Sequence, residues 1–489
     1  MFKRILFGSL MFFPLIPSSA FPQSLCPLNG IASDKLICVI PQVYGARPLG
    51  NANEFPAANS FAPINAAVGT QVSTLPMASP SSGISFVYDP SLKSFTVANE
   101  SLGPVLGERA RTIGRNRLFL GFSYQFLKFD SIDGKKLKAL PDAVKHLPVK
   151  DFPSPENTPA DDLEAVQPAC NPQGLPTDYV HTQFGVQVPD PCLVRDLITS
   201  TYDVDFRISQ YIMYITYGAT SRLDVSVAVP FLNVRMNVIT NSTIVPNSVA
   251  FSILDLPGNI NHVFFNPNCP KPCLSQTFRN AGRAIGIGDV VFRGKYQLYK
   301  GEKAGFAVGL DVRTPSGNEE NYTGAGALGF KQFAVFSYSG RVSPHASIGY
   351  ESNGKSILAG NVVGASSNTK GKLPDRFIYV VGADASIFKR LTAAFDLYGQ
   401  RLYGAPEVLS SQFVDFGKCS DEACTAVAPG VAHPILTSKG TDLNILDASI
   451  GAKIRLIRNL VATGNVLLKL NDSGLRAKVV PLAGISYSF

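Results

Sequence analysis

From Arg115 onward the chain alternates apolar and polar residues with a period of two. In 222–231, Leu223, Val225, Val227, Val229 and Phe231 share one face, and Arg222, Asp224, Ser226 and Ala228 the other. Phe306, Val308, Leu310 and Val312 likewise oppose Ala307, Gly309, Asp311 and Arg313. Leu446, Ala448, Ile450, Ala452 and Ile454 oppose Asp447, Ser449, Gly451, Lys453 and Arg455. The last residues set Val479, Pro481, Ala483, Ile485, Tyr487 and Phe489 against Lys478, Gly484, Ser486 and Ser488. Successive side chains of a strand point to opposite faces, so each segment predicts a strand with one oily and one wet side. Beyond Pro230 the phase slips by one and Asn233, Arg235 and Asn237 become the polar set. Proline cannot donate to a ladder, which predicts a bulge there.

Twelve such strands are predicted, near 115–129, 200–217, 222–240, 285–300, 303–316, 327–339, 341–352, 374–388, 390–403, 441–457, 459–470 and 476–489. Short gaps (Gly218 to Ser221, Gly301-Glu302, Gly340, Lys389-Arg390, Arg458) alternate with longer ones, of which 130–199, 241–284 and 404–440 are the longest, except that the last outer loop, Asn471 to Leu475, is itself short. A soluble sandwich has no cause to sort its loops this way. A transmembrane barrel does, with short turns on one rim and long loops on the other, and an even count returns both ends to one side. The expected fold class is therefore all-β: an antiparallel up-and-down transmembrane barrel of about twelve strands over 115–489.

The chain opens on Lys3-Arg4, an apolar run from Ile5 to Ile16, and Ser18-Ser19-Ala20, which predicts a signal peptide over 1–20 cleaved before Phe21. Leu25 before Cys26 argues against lipidation, and no later run is long enough for a membrane helix. Residues 21–114 are rich in Pro, Ala, Ser and Asn. A small hairpin is expected from Ile84 to Tyr88 and Ser94 to Ala98, too short to span. We therefore expect 21–114 to be a plug or periplasmic segment, and the mature protein to reside in the outer membrane of a Gram-negative-type bacterium after Sec-type export.

Composition adds a little. Charged residues are 16% of the 489, below the roughly 25% of soluble domains. The net charge of +8 comes from basic residues scattered through strands, which excludes a nucleic-acid surface. The eight cysteines fall into local couples, Cys26 with Cys38, Cys170 with Cys192, Cys269 with Cys273 and Cys419 with Cys424. In an oxidising compartment these predict four loop-pinning disulfides. A metal at Cys269 and Cys273 lacks further ligands. His146, His181, His262 and His433 lie in expected loops without metal spacing, and Gly286-Ile287-Gly288 lacks the third glycine of a dinucleotide site. No cofactor is expected.

Pooling the wet faces gives an inner wall with Asp205, Arg207, Asp289, Arg293, Lys295, Asp311, Arg313, Asp384, Asp396, Asp447, Lys453 and Arg455 as lumen-lining candidates for a solute path. Twelve strands about 4.8 Å apart and tilted about 40° enclose a backbone diameter of roughly 24 Å. Side chains alone would not fill it, so water, a plug or inward-folded loops must.

Two stretches resemble known families. The ending with Ile485, Tyr487 and the terminal Phe489 is similar to the closing strand of bacterial outer-membrane barrels, which implies recognition by the barrel-assembly machinery. Gly286-Ile287-Gly288-Asp289-Val290, Arg293, Lys295-Tyr296, Gly309 to Asn318, then Gly324, Gly326, Gly329, Ser343-Pro344-His345 and Gly349-Tyr350 resemble the outer-membrane family of meta-pathway phenol-degradation proteins. The chain is more distantly similar to uptake channels for fatty acids and aromatic hydrocarbons. The resemblance implies passive passage of a small hydrophobic or aromatic solute through a plugged barrel set in outer-membrane lipid, without enzyme activity. Two alternatives stand beside it: a structural or adhesive barrel acting through disulfide-tied loops, and an outer-membrane lipid hydrolase using His345 and Ser347, which share a strand face.

Overall fold

The computed structural model describes residues 25–26, 32–44, 62–72, 86–89, 94–97, 101–145, 180–183, 186–189, 197–246, 264, 268–269, 273–360, 362, 369–414, 429–457 and 459–489. Twelve staves close into an antiparallel up-and-down barrel. They are β1 (Leu118–Phe129), β2 (Leu197–Gly218), β3 (Leu223–Val245), β4 (in two segments, Ser275–Ile287 and Val291–Lys300), β5 (Ala304–Arg313) and β6 (Gly329–Tyr338). There follow β7 (Val342–Asn353), β8 (Asp375–Phe388), β9 (Leu391–Val414), β10 (Ala432–Ile457), β11 (Leu460–Lys469) and β12 (Val479–Ser488). β12 pairs with β1 from Leu482↔Gln125 to Ser488↔Phe119, and the Phe489 N–H donates to the Leu118 carbonyl at 2.8 Å. The aromatic terminus is thus part of the seam.

The outward face is oily through the lower half of the wall. Met213 (49% exposed), Phe336 (49%) and Ile348 (55%) stand on three different staves with nothing over them. Side chains of this kind around a closed barrel face lipid, because in water so continuous an apolar belt would drive association. The turns 219–222, 301–303, 339–341 and 389–390 are short and share one rim, which makes that rim periplasmic. The protein is an outer-membrane β-barrel.

Higher up, the faces exchange character. On β2 and β3 the inward positions of the lower wall include Gln210, Thr216, Asp224 and Ser226, whereas those above are Val204, Phe206, Leu232, Val234, Met236 and Val238, all buried. The outward positions change in the opposite sense, from Tyr211, Met213, Ile215 and Tyr217 to Asp205, Arg207, Asn233, Arg235 and Asn237. No bulge causes this. The β2–β3 register runs unbroken from Asp224↔Gly218 to Val245↔Leu197, so the expected phase slip at Pro230 is a change of surroundings, not of backbone. The extra residue sits on the facing stave instead. Ala228 pairs with Val291 and Phe231 with Ile287, leaving Gly288-Asp289-Val290 opposite Val229-Pro230. The inversion also explains why β2, β3, β9 and β10, of 22, 23, 24 and 26 residues, outrun their expected lengths. A pattern read with one polarity ends where the lipid ends.

Inside the upper barrel lies an apolar core. Helix α1 (Ala62–Val72) contributes Ile64, Ala67, Val68 and Val72, and Leu36, Ile37, Val39, Ile40 and Val43 add a second layer. These pack on Phe129, Phe206, Met236, Tyr322, Leu358 and Val408 of the wall and its loops. The short hairpin forms between Phe86–Asp89 and Ser94–Val97, within the expected stretch. Cys26 is bonded to Cys38 and Cys269 to Cys273, which removes the metal reading of the latter pair. The other four cysteines and the signal peptide lie outside the described residues. His433 is on β10, opposite Phe413, rather than in a loop.

Phe206 anchors the upper core: it is fully buried, stacks on Phe129 at 5.1 Å and meets Tyr322 edge-on at 5.9 Å. Phe206→Ala is expected to destabilise the protein by about 3–5 kcal/mol. Urea unfolding in detergent, followed by far-ultraviolet dichroism, checks this. An unchanged midpoint would mean the upper core does not bear on stability.

Candidate functional site: the occupied lumen

The lower lumen is crossed by residues 101–113, a strap that meets inward-facing groups of six staves. Its backbone N–H groups donate to wall side chains: Leu102 to Thr392 Oγ1 (2.8 Å), Leu106 and Gly107 to Asp396 Oδ2 (3.2 and 3.3 Å), Ala110 to Ser337 Oγ (3.0 Å), and Ile113 to Asp224 (3.1 Å). In return, Lys295 Nζ donates to the carbonyls of Arg109 (3.0 Å) and Arg111 (3.2 Å). A strap without regular structure leaves its amides unpaired, and in a water-poor interior each must find an acceptor. The polar lumen supplies them.

Charge pairs fasten the same segment. Arg109 donates to Asp384, which also accepts from Ser101. Glu108 meets Arg293 at 2.8 Å and Lys295 at 3.2 Å, and Arg293 in turn holds Asp311 at 2.6 Å. His345 Nε2 lies 2.6 Å from Asp396, and its Nδ1 is 3.6 Å from Asp384. Both ring nitrogens therefore face carboxylates. Among the described residues the recorded ring contacts are to Asp396, Asp384 and the Ser343 carbonyl, and none joins His345 to Ser347, the pair a hydrolase would use. Gly107 allows the close passage: a Cβ there would sit 2.4 Å from His345 Nε2 and 2.9 Å from Asp396 Oδ1.

A second tier lies above the strap. Arg376 pairs with Glu351 (2.7 Å) and donates to Gln400 (3.2 Å). Arg313 spans Asp289 (3.3 Å) and Glu351 (3.4 Å), Lys331 pairs with Asp311 (2.6 Å), and Arg476 with Asp447. Cavities of about 40 and 60 Å³ remain between this tier and the apolar core, the second lined by Leu232, Asp289, Arg313, Tyr322 and Arg376. Each holds little more than a water or two. A larger cleft, about 530 Å³, opens between Ala284–Ile287 and the loop from Pro315 to Asn321. Near the outer mouth, burial pushes the Tyr322 hydroxyl well above the usual phenol range while it donates to Asn65 at 2.7 Å. Burial also raises the Asp133 carboxyl, opposed by the amides of Val408 and Gly474.

Of the twelve lumen candidates, Asp289, Arg293, Lys295, Asp311, Arg313, Asp384, Asp396, Asp447 and Lys453 lie inside, drawn into these two tiers. Arg455 occupies an inward position near the periplasmic end and is half-buried. Asp205 and Arg207 do not join them. They point outward and pair with each other, Nε to Oδ1 at 2.7 Å, because they stand above the belt where the outside is polar. Sequence reasoning did not single out Glu108, Arg109, Glu351 or Arg376 for this site. Three charges within four residues, Glu108, Arg109 and Arg111, in a segment otherwise poor in charge, were the available signal.

Residues 199–391 match the model of the family described as "Putative MetA-pathway of phenol degradation". Over that segment the chain is similar to the family. The family match spans β2 through β8, and so includes Arg293, Asp311, His345 and Asp384 but not the strap. Similar solved structures include an outer-membrane channel from Pseudomonas putida F1, 9% identical, covering 78% of this chain and 98% of that one at a TM-score of 0.37. The toluene transporter TbuX of Ralstonia pickettii is 12% identical, with 79% and 94% covered and a TM-score of 0.24. A FadL homologue of Pseudomonas aeruginosa is 9% identical, with 76% and 88% covered and a TM-score of 0.25. No curated protein matches the chain.

Proposed function

We propose that the protein is a channel for small hydrophobic or aromatic molecules, stoppered by its own N-terminal segment. The observation that carries this is the nature of the stopper. The lumen is filled in large part by separate chain, the 101–113 strap below and the 36–43 and α1 layers above, with a tier of paired wall side chains between them. A barrel built only for rigidity needs no such insert, whereas a removable one converts a closed pore into an open pore. The family's link to phenol degradation supports an aromatic solute.

Planar-bilayer conductance and phenol flux into liposomes test the proposal on the whole mature chain and on one lacking 21–114. The whole chain is expected to open rarely, and the truncated barrel to conduct continuously and admit phenol at least tenfold faster. If neither conducts nor admits phenol, the barrel is structural and the loops, not the lumen, carry its role.

A further inference from the structure

Four basic residues form one row across four neighbouring staves. Lys128 on β1 is the register partner of Arg207 on β2, Arg207 of Arg235 on β3, and Arg235 of Arg283 on β4. All four are outward and exposed. Directly opposed residues stand about 5 Å apart, and like charges in that relation oppose strand pairing. Among the described residues, one carboxylate is paired with the row: Asp205, held by Arg207. Arg283 donates from Nε to the Asn233 side-chain carbonyl at 3.0 Å, and among the described residues no carboxylate pairs with Lys128, Arg235 or Arg283. Such a row is stable where anions supply what the protein does not.

Its height says which anions. Tyr217, at the periplasmic rim, lies ten residues below Arg207 on the same stave. At about 3.4 Å per residue and a tilt near 40° this is about 26 Å along the membrane normal, close to the roughly 25 Å apolar band of such barrels. Four residues, about 10 Å, below the row, Tyr124 and Tyr211 meet at 5.0 Å between ring centroids, on the apolar side of that boundary. The row therefore sits where the hydrocarbon of the outer leaflet gives way to headgroups. Guanidinium groups bind phosphate through paired N–H donors, and a spaced set can hold more than one phosphate.

We propose that Lys128, Arg207, Arg235 and Arg283 bind the phosphate groups of the outer-leaflet glycolipid. The site fixes the barrel's depth and orients the β1–β4 side of its wall toward that lipid. It is independent of whether the lumen conducts.

The test uses the full mature chain, purified and delipidated in detergent, and the triple variant Arg207→Gln, Arg235→Gln, Arg283→Gln. Heat-modifiable gel migration establishes that both are folded. Lipid A is added in its bisphosphorylated and its phosphatase-stripped forms, and bound lipid is counted by native mass spectrometry, with inorganic phosphate as competitor. The wild type is expected to retain bisphosphorylated lipid A at least tenfold better than the variant and than the stripped lipid, with millimolar phosphate displacing little of it. Equal retention by wild type and variant, or of both lipids, overturns the site. Full displacement by phosphate alone shows a generic anion patch and overturns it as a lipid site. Lys300→Gln, at the short turn on the periplasmic rim, should leave retention unchanged.

Discussion

Asp384→Ala is expected to release the strap and open the lower lumen. The carboxylate of Asp384 accepts from Arg109 and Ser101, and all three side chains are buried. Removing one partner of a buried pair strands the other charge, which typically costs about 3–5 kcal/mol. The barrel ladder does not depend on this contact, so the loss falls on the docking of 101–113. Trypsin cleavage after Arg109 and Arg111 measures it: protected in the wild type, rapid in the variant, with bilayer conductance rising in parallel. Continued protection with an unchanged closed state would show that the remaining contacts hold the strap without Asp384. Arg109→Ala leaves the anion unpaired instead and should act in the same direction.

Gly107→Val is expected to have a comparable effect by shape alone. Its Cβ would meet His345 Nε2 at 2.4 Å and Asp396 Oδ1 at 2.9 Å. Those groups cannot retreat. The ring is held between Asp396 and Asp384, and the backbone of Gly382 passes so close to Asp396 that no side chain would fit there. Overpacking of this kind costs about 1–3 kcal/mol. The loss of the Leu106 and Gly107 amide bonds to Asp396 adds about 1–3 kcal/mol for each donor left unsatisfied. Gly107→Ala should fall between wild type and Val in the same proteolysis assay. Equal protection of all three would mean that the strap can shift within the lumen at little cost.

Together these contacts describe a lumen closed in two chemically different ways. Above, the closure is apolar and reinforced by the Cys26–Cys38 disulfide. Below, it is a ladder of amides and charges that water can replace. A group such as Asp396, which accepts from the strap and contacts His345, can be rehydrated when the strap leaves; a buried Phe206 cannot be exposed so cheaply. The lower closure is therefore the part suited to opening.

Strand number, the alternation of lipid and lumen faces within the bilayer, the sorted loops and the closing role of Phe489 follow from the residues themselves. A membrane imposes one polarity on the outside of a barrel, and a period of two carries that polarity straight into the sequence. The same rule fails above the bilayer. Asp205 and Arg207 keep their place on the outer face while the outer medium changes from hydrocarbon to headgroup and water, and local pattern holds no mark of where that change occurs. The strap is illegible for another reason: its partners lie from about 110 to 290 residues away, and irregular chain has no periodicity to match to them. The pairing of Glu108 with Arg293, the enclosure of His345 by two carboxylates and the row from Lys128 to Arg283 exist because barrel closure fixed the register of neighbouring staves and brought the strap inside.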